Sequence, residues 1–413
     1  MEDARIEDVS FGTSRQLNKK RSGPKMIGED FLELRKFVVP EFVYGAGAIN
    51  LVGNYAKNFG AKKLLIVTDP GIVEAGWVGK VEAVLKEDRV PYVIFQGVTP
   101  NPKDREVMAG AEVYRDHGCD AILAVGGGSP MDCAKGIGIV SSNNKHVLEF
   151  EGVDEVEMPG PPLICVPTTA GSSADVSQFA IITDTARKVK IAIISKTVVP
   201  DTSLIDPVTT TTMPSELTSA TGLDALVHAC EAYVSNASSP ITDLAALEAI
   251  RLVDRNLVSA SENPEDMRYR NNMMMASLLA GIAFSNASLG LVHCMAHSLG
   301  GLLDLAHGMC NAILLEHVVD FNFVSAPERY SRIGATLGLD MERLEPEDRK
   351  SAILQKIVEL RKSVRINQTL RQLGVSEKDI GPLARNAFRD PCLATNPREP
   401  MLEEIEAIYE RAM

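Results

Sequence analysis

The chain has 413 residues, 45% hydrophobic and 23% charged, which suits a globular protein with room for two domains at roughly 100–200 residues each. Its formal net charge of −13 argues against a nucleic-acid partner or an anionic membrane surface, because both would repel it. Seven scattered cysteines without a CxxC pair, an acidic start (MEDARIEDVS) and no apolar run of the roughly 18 residues needed to cross a bilayer point to a cytoplasmic protein.

Residues 1–36 are polar and show no sustained period until FLELRKFVVP, so a mobile arm or partner-binding segment is expected there, with a basic run KKRSGPK at 19–25. Short β-branched runs then alternate with helical stretches. Strands are expected at 62–69 (KKLLIVTD) and 90–97, and helices at 78–89 and 104–118. A further strand at 121–130 runs into a glycine turn, with a helix from Asp132, and another strand lies at 161–169. Residues 179–195 suggest a hairpin-type excursion. Strands separated by helices imply a parallel sheet covered on both faces. After TTTTMPSEL (209–217) only 3.6-residue spacing remains, and 276–292 (ASLLAGIAFSNASLGLV) is expected to be a buried helix. The fold class is therefore an α/β domain over 37–210, with a parallel, Rossmann-like dinucleotide-binding sheet, followed by an all-α domain over 211–413. A metal site is expected in the cleft between them.

In AILAVGGGSPMDCAK three glycines, Gly126, Gly127 and Gly128, stand where a strand gives way to a helix. Bare backbone N–H groups and a helix N-terminus favour a pyrophosphate, although a plain tight turn has the same local sequence. Asp132 is expected near the start of that helix and Lys135 on its first turns. Asp69, ending the first strand in TDPG, is either a helix N-cap or a partner for an adenosine ribose, the latter favouring NAD over NADP. The loop PTTAGSSAD offers Thr168, Thr169, Ser172 and Ser173 around Gly171, as a nucleotide contact or only a turn.

GLDALVHACEAY places Asp224 and His228 four residues apart on one helix face, which alone is compatible with a local hydrogen bond. HCMAHSLGGLLDLAHG adds His293 and His297 at the same spacing, then His307. Gly300 and Gly301 are expected to weaken or break the intervening helix and let the chain return. A carboxylate with several imidazoles is a donor set for Fe²⁺ or Zn²⁺. The residues alone leave His297 free to be a fourth imidazole ligand.

These segments, with FVYGAGA, TPNP at 99–102 and ATNPREP at 394–400, resemble the iron-dependent (group III) alcohol dehydrogenases from about residue 38 to the C-terminus. The branch most resembled contains bacterial methanol, ethanol and 1,3-propanediol dehydrogenases. The resemblance implies an NAD-linked enzyme interconverting a small primary alcohol and its aldehyde. It implies metal ligands Asp224, His228, His293 and His307, with Fe²⁺ as the metal and Zn²⁺ or Mn²⁺ as alternatives. His297 is implied to serve near the nicotinamide, passing the released proton, a task suited to an imidazole. Cofactor contacts are implied for Asp69, Asn101, Gly126, Gly127, Gly128, Ser129, Asp132, Thr168, Thr169 and Lys190, and a substrate-pocket wall for Phe284. A homodimer or larger homo-oligomer is also implied. Glycerol dehydrogenases and dehydroquinate synthases share the architecture, usually with zinc, and a regulatory protein on the same fold is motivated only by the basic arm. The chain departs from the pattern at Ser172 and Asp175, where relatives commonly have threonine and glutamate, and in the length of its N-terminal arm. LLDLAHG also lacks the aromatic residue that often precedes the last ligand, which implies a wider or less apolar pocket.

Overall fold

Aliphatic runs with alternate side chains on opposite faces become the strands of one central sheet in the computed structural model, which describes residues 36–413. The expectations for the arm at 1–36 and its basic run fall on residues outside that range, Lys36 excepted. In chain order the first half contains β1 (Glu41–Tyr44), α1 (Val52–Asn58), β2 (Leu64–Val67), α2 (Pro70–Glu74) and α3 (Trp77–Glu87). It continues with β3 (Tyr92–Phe95), α4 (Asp104–Asp116), β4 (Ala121–Gly126), α5 (Gly128–Asn143), β5 (Gly152–Val153) and β6 (Leu163–Pro167). The hairpin β7 (Phe179–Asp184) and β8 (Val189–Ile194) and the strand β9 (Thr202–Ile205) complete it.

The six-stranded sheet has the order β1-β9-β6-β4-β2-β3, and every neighbouring pair is parallel. The inner strands β2, β4, β6 and β9 are buried on both faces, as a parallel sheet requires, while the edge strands β1 and β3 are partly exposed. Leu65, Val67, Ile122, Ala124 and Cys165 enter a core with α4, α5 and the hairpin. Their alternates Leu64, Ile66, Leu123, Val125, Ile164 and Val166 enter a second core with α1 and α3. β7 and β8 pair antiparallel, and β5 joins β8 in a separate three-stranded sheet. The chain runs from β2 outward to β3 and returns to β4 on the other side of β2. That reversal creates a crevice at the carboxyl ends of β2 and β4.

Beyond β9 the chain is helical: α6 (Ser215–Val234), α7 (Pro240–Glu262), α8 (Met267–Ala287), α9 (Leu291–Leu303) and α10 (His307–Asn322). α11 (Pro327–Thr336), α12 (Pro346–Ser363), α13 (Glu377–Phe388) and α14 (Leu402–Ala412) follow. They share one large aliphatic core. Among the described residues no single helix is long and apolar enough to cross a membrane.

Three local expectations are corrected. The helix after the glycine turn starts at Gly128 rather than Asp132. Pro130 is tolerated in its first turn because an N–H there would lack an intrahelical partner anyway. Residues 276–292 are not one helix, for α8 and α9 meet at a bend of 100° where Ser288 has φ 61°. Gly300 and Gly301 do not break α9, which runs through them to Leu303 and ends at Asp304, φ 54°. Their role is close approach: a Cβ on Gly301 would lie 2.7 Å from the backbone of Val189 and Lys190, and one on Gly300 would lie 2.7 Å from Lys190 Cε.

Gly301→Ala should therefore lower stability by about 1–3 kcal/mol, because the β8 backbone cannot yield as a side chain would. Gly79→Ala, at an exposed α3 position with open space around it, should raise stability by about 1 kcal/mol. Equilibrium denaturation of both variants checks the pair, and equal effects would contradict the packing argument.

Candidate metal centre and nucleotide crevice

The glycine turn connects β4 to α5 at the crevice. Gly126 has φ +152°, and a Cβ on it would lie 2.6 Å from Pro130. A Cβ on Gly127 would approach Thr169 to 3.0 Å, and one on Gly128 would approach Ser172 to 2.9 Å. Only bare backbone fits between this turn and the loop after β6. No side chain caps α5, so its first N–H groups face the crevice beside Ser129. The Thr168 N–H donates to the Gly126 carbonyl at 2.9 Å, while Thr168 Oγ1 is buried without a partner.

Asp69, two residues beyond β2, caps α2, its Oδ1 accepting from the Ile72 N–H at 3.0 Å. Burial raises its pKa against the N–H groups of Ile72 and Gly71. Asn101, in the loop after β3, has φ 53° and sends its amide to Asp304 Oδ1 at 2.7 Å and to the Leu305 carbonyl at 3.3 Å. Lys103 Nζ reaches the same Asp304 oxygen at 3.1 Å. Asp132, on α5, accepts from the Ile181 N–H at 3.2 Å, and its Oδ1 is buried without a partner. Burial pushes Asp132 up to about 6, opposed by Lys135, Lys190 and His297. Burial pushes Lys190 down to about 8, opposed by Asp132 and Asp224. Lys190 therefore lies within electrostatic reach of both the nucleotide crevice and the helical half. Lys135 serves structure: its Nζ donates to the carbonyls of Ser177 at 2.9 Å and Phe179 at 2.6 Å.

The histidine cluster forms where α6, α9 and α10 meet. Asp224, His228 and His293 are buried, and each offers a donor atom within 4.8 Å of the others. His293 Nε2 lies 3.8 Å from Asp224 Oδ1, and His228 Nδ1 lies 4.0 Å from Asp224 Oδ2. His307 stands outside that mutual group, but its Nε2 also lies 3.8 Å from Asp224 Oδ1. The His228 ring stacks on His293 with centroids 4.5 Å apart and on Phe284 at 4.4 Å. Phe284 is 3% exposed and also packs on Phe179. Burial drives His228 down to about 4 and His293 to about 3, against the pull of Asp224, and drives His307 well below the usual range. At neutral pH these rings are uncharged and retain a lone pair for a ligand.

His297 is separate: its ring lies edge-on to His293 at 5.9 Å and stacks on His307 at 5.4 Å. Its Nδ1 meets Asp390 Oδ2 at 2.8 Å, so its natural grouping is with Asp390 and Cys392 rather than Asp224. Burial opposes ionisation of Asp390, but His297 and the Cys392 N–H hold its carboxyl below the ordinary range.

Sequence reasoning missed Asp390, which no local pattern links to a histidine 93 residues away. It also missed Glu231, whose Oε2 meets His293 Nδ1 at 2.6 Å. Glu231 follows Asp224 by seven residues and His228 by three on α6, and that helical spacing is a signal that would have found it. Burial pushes it up to about 7, against the N–H groups of Gly290 and Val292. Asn311, one turn after His307, brings its Nδ2 within 2.6 Å of Asp224 Oδ1, 3.1 Å of His293 Nε2 and 3.2 Å of His307 Nε2.

The donor set fits a divalent transition metal: one carboxylate and neutral imidazoles, with His228 Nδ1, His307 Nδ1 and Asn311 Oδ1 buried and unpartnered. The glycine turn likewise fits a dinucleotide, because its cradle is space that a Cβ would fill.

Comparison with known proteins agrees. Residues 40–207 match the family described as iron-containing alcohol dehydrogenase, and 218–413 match the C-terminal part of the Fe-containing alcohol dehydrogenase family. The chain is 42% identical over 379 residues to a 1,3-propanediol dehydrogenase of Citrobacter freundii, covering 91% of this chain and 98% of the relative. It is 38% identical over 377 residues to an NAD-dependent methanol dehydrogenase of Bacillus methanolicus, covering 91% and 99% respectively. A solved 1,3-propanediol oxidoreductase structure superposes with a TM-score of 0.89 at 42% identity, covering 92% of this chain and 100% of that one. A parallel sheet with its glycine turn, joined to helices that gather a carboxylate and imidazoles, thus places this chain in the iron-containing alcohol dehydrogenase family, oxidoreductases that act on small alcohols with NAD and Fe²⁺.

Proposed function

We propose that the chain interconverts a small primary alcohol and its aldehyde, with NAD as redox partner, at a metal held by Asp224, His228, His293 and His307. The observation that carries this reading is the convergence of Asp224, His228 and His293 within 4.8 Å, with His307 beside Asp224. Ferrous iron supplies Lewis acidity toward the substrate oxygen, and NAD supplies the hydride acceptor. Every other part of the task falls to the chain itself. Asp224 balances the cation's charge and the buried imidazoles stay neutral to donate to it.

Residues 37–210 form the nucleotide-binding half and 211–413 the metal-bearing half. Gly126, Gly127, Gly128 and Ser129 receive the pyrophosphate at the α5 N-terminus. Asp69 accepts from the adenosine ribose and repels a 2′-phosphate. Asn101, Asp132, Thr168, Thr169 and Lys190 complete the surroundings of the nucleotide. His297, held through Nδ1 by Asp390, keeps Nε2 for the proton that leaves the alcohol. Phe284, stacked on His228, is the apolar wall beside the substrate. Resemblance to the family supports a homodimer or larger homo-oligomer, and seven unpaired, buried cysteines support a cytoplasmic location.

His293→Ala should lose bound metal, measured by atomic absorption, together with turnover, while its far-UV circular dichroism stays native. Full activity in metal-free protein would sink the reading. His297→Ala should keep its metal and lose turnover by about 10²-fold, the size of a general acid–base contribution; loss of metal would instead make His297 a ligand. Asp69→Gly should raise the NADP:NAD ratio of kcat/KM by about tenfold or more. Glycine at an N-cap costs only a few tenths of a kcal/mol, so an unchanged ratio would place cofactor selectivity elsewhere.

A further inference from the structure

The mechanism leaves unexplained a glutamate buried among the ligand-bearing helices. Glu231 is 5% exposed and belongs to α6, on the face that presents Asp224 and His228. Its carboxylate leaves that helix and meets the start of α9. Oε2 accepts from the Gly290 N–H at 3.0 Å and Oε1 from the Val292 N–H at 2.6 Å. Oε2 also meets His293 Nδ1 at 2.6 Å. The Leu291 N–H between them donates to Asn396 Oδ1 at 3.1 Å. Gly290 permits the approach, since a Cβ there would lie 3.1 Å from Glu231 Oε1 and 2.8 Å from Asn396 Oδ1.

Two consequences follow from this geometry. Asn311 Nδ2, an amide N–H that can only donate, lies 3.1 Å from His293 Nε2, so Nε2 carries the lone pair and the proton between Glu231 and His293 sits on Nδ1. Nε2 is the atom 3.8 Å from Asp224 Oδ1. The same carboxylate fixes where α9 begins, hence how far the His293 ring stands from Asp224 and His228 on the neighbouring helix.

We infer that Glu231 is a positioning residue for the metal centre, holding His293 in the Nδ1–H tautomer and tying the ligand-bearing segment of α9 to that of α6. The inference rests on the proposed reading of His293 as a ligand. It assigns Glu231 no contact with substrate or metal. Glutamine in its place offers one acceptor oxygen instead of two, so the imidazole and the two backbone N–H groups cannot all be served.

Competition with a chromophoric chelator, using Zn²⁺ and Co²⁺ as probes on the full chain, measures the effect without reference to turnover. Glu231→Gln should weaken metal binding about 10–100-fold, the usual consequence of removing a carboxylate behind a ligating histidine. Asn396→Ala, which uncaps Leu291 without touching His293, should destabilise the fold yet bind metal within about threefold of the parent. A Glu231→Gln variant that binds like the parent overturns the inference. So does an equal loss in Asn396→Ala, because helix capping would then account for everything.

Should Glu231→Gln not fold, the metal-free parent with ¹⁵N-labelled histidine answers the same question, because no metal then dictates which nitrogen carries the proton. The His293 proton is expected on Nδ1, and a proton on Nε2 overturns the inference. Parent-like metal binding by His293→Ala would instead overturn the ligand reading itself, which keeps the two failures distinct.

Discussion

Helix α9 begins inside the protein, and a buried helix start must find acceptors for N–H groups that have no partner in the helix. Glu231 and Asn396 supply them to Gly290, Leu291 and Val292. Burying a carboxylate costs several kcal/mol when it stands alone, and here three donors converge on it to offset that cost. The site geometry depends on this junction. Asp224 and His228 stand on α6, and His293 and His297 on α9. The relative placement of the two pairs is set where Glu231 crosses from one helix to the other. A small error in that crossing would separate donor atoms that must approach within one coordination sphere.

The two histidines of α9 show how context divides equivalent residues. Both have Nδ1 on a buried carboxylate, Glu231 for His293 and Asp390 for His297, at 2.6 and 2.8 Å. Asp224 distinguishes them, because Nε2 of His293 comes within 3.8 Å of its carboxylate while His297 groups with Asp390 and Cys392. A ligand needs a neighbouring anion and other donors around one point, whereas a proton carrier needs a partner that fixes its tautomer. The i, i+4 spacing places both rings on one face of α9 but cannot separate these duties.

Local periodicity made the parallel sheet, the hairpin and the change to helices legible, since each depends on residues close in the chain. The glycine turn, Asp69 and the Asp224/His228 and His293/His297 pairs were legible for the same reason. Glycine was read less well. Gly300 and Gly301 suggested a helix break, yet α9 continues through them because β8 approaches too closely for any side chain. The actual break lies at Ser288–Gly290, where apolar residues continue on both sides and mask it. Asp390 and Asn396 were not legible at all. Their partners lie 93 and 105 residues away, and only tertiary packing brings them together.

The approach of β8 to Gly301 also bears on the segment LLDLAHG. Leu302, Leu303 and Leu305 pack against the helical core as partly buried residues, so aliphatic contact replaces the aromatic ring expected before the last ligand. Asp304 closes α9 with φ 54° and receives Asn101 Nδ2 and Lys103 Nζ from the loop after β3. Asn101 thereby ties the edge of the nucleotide crevice to a turn three residues before His307. The missing aromatic and the polar clasp occupy the same stretch of chain. A change there alters more than pocket width: it shifts the β3 loop and the final imidazole together, because Asp304 holds one and lies three residues before the other.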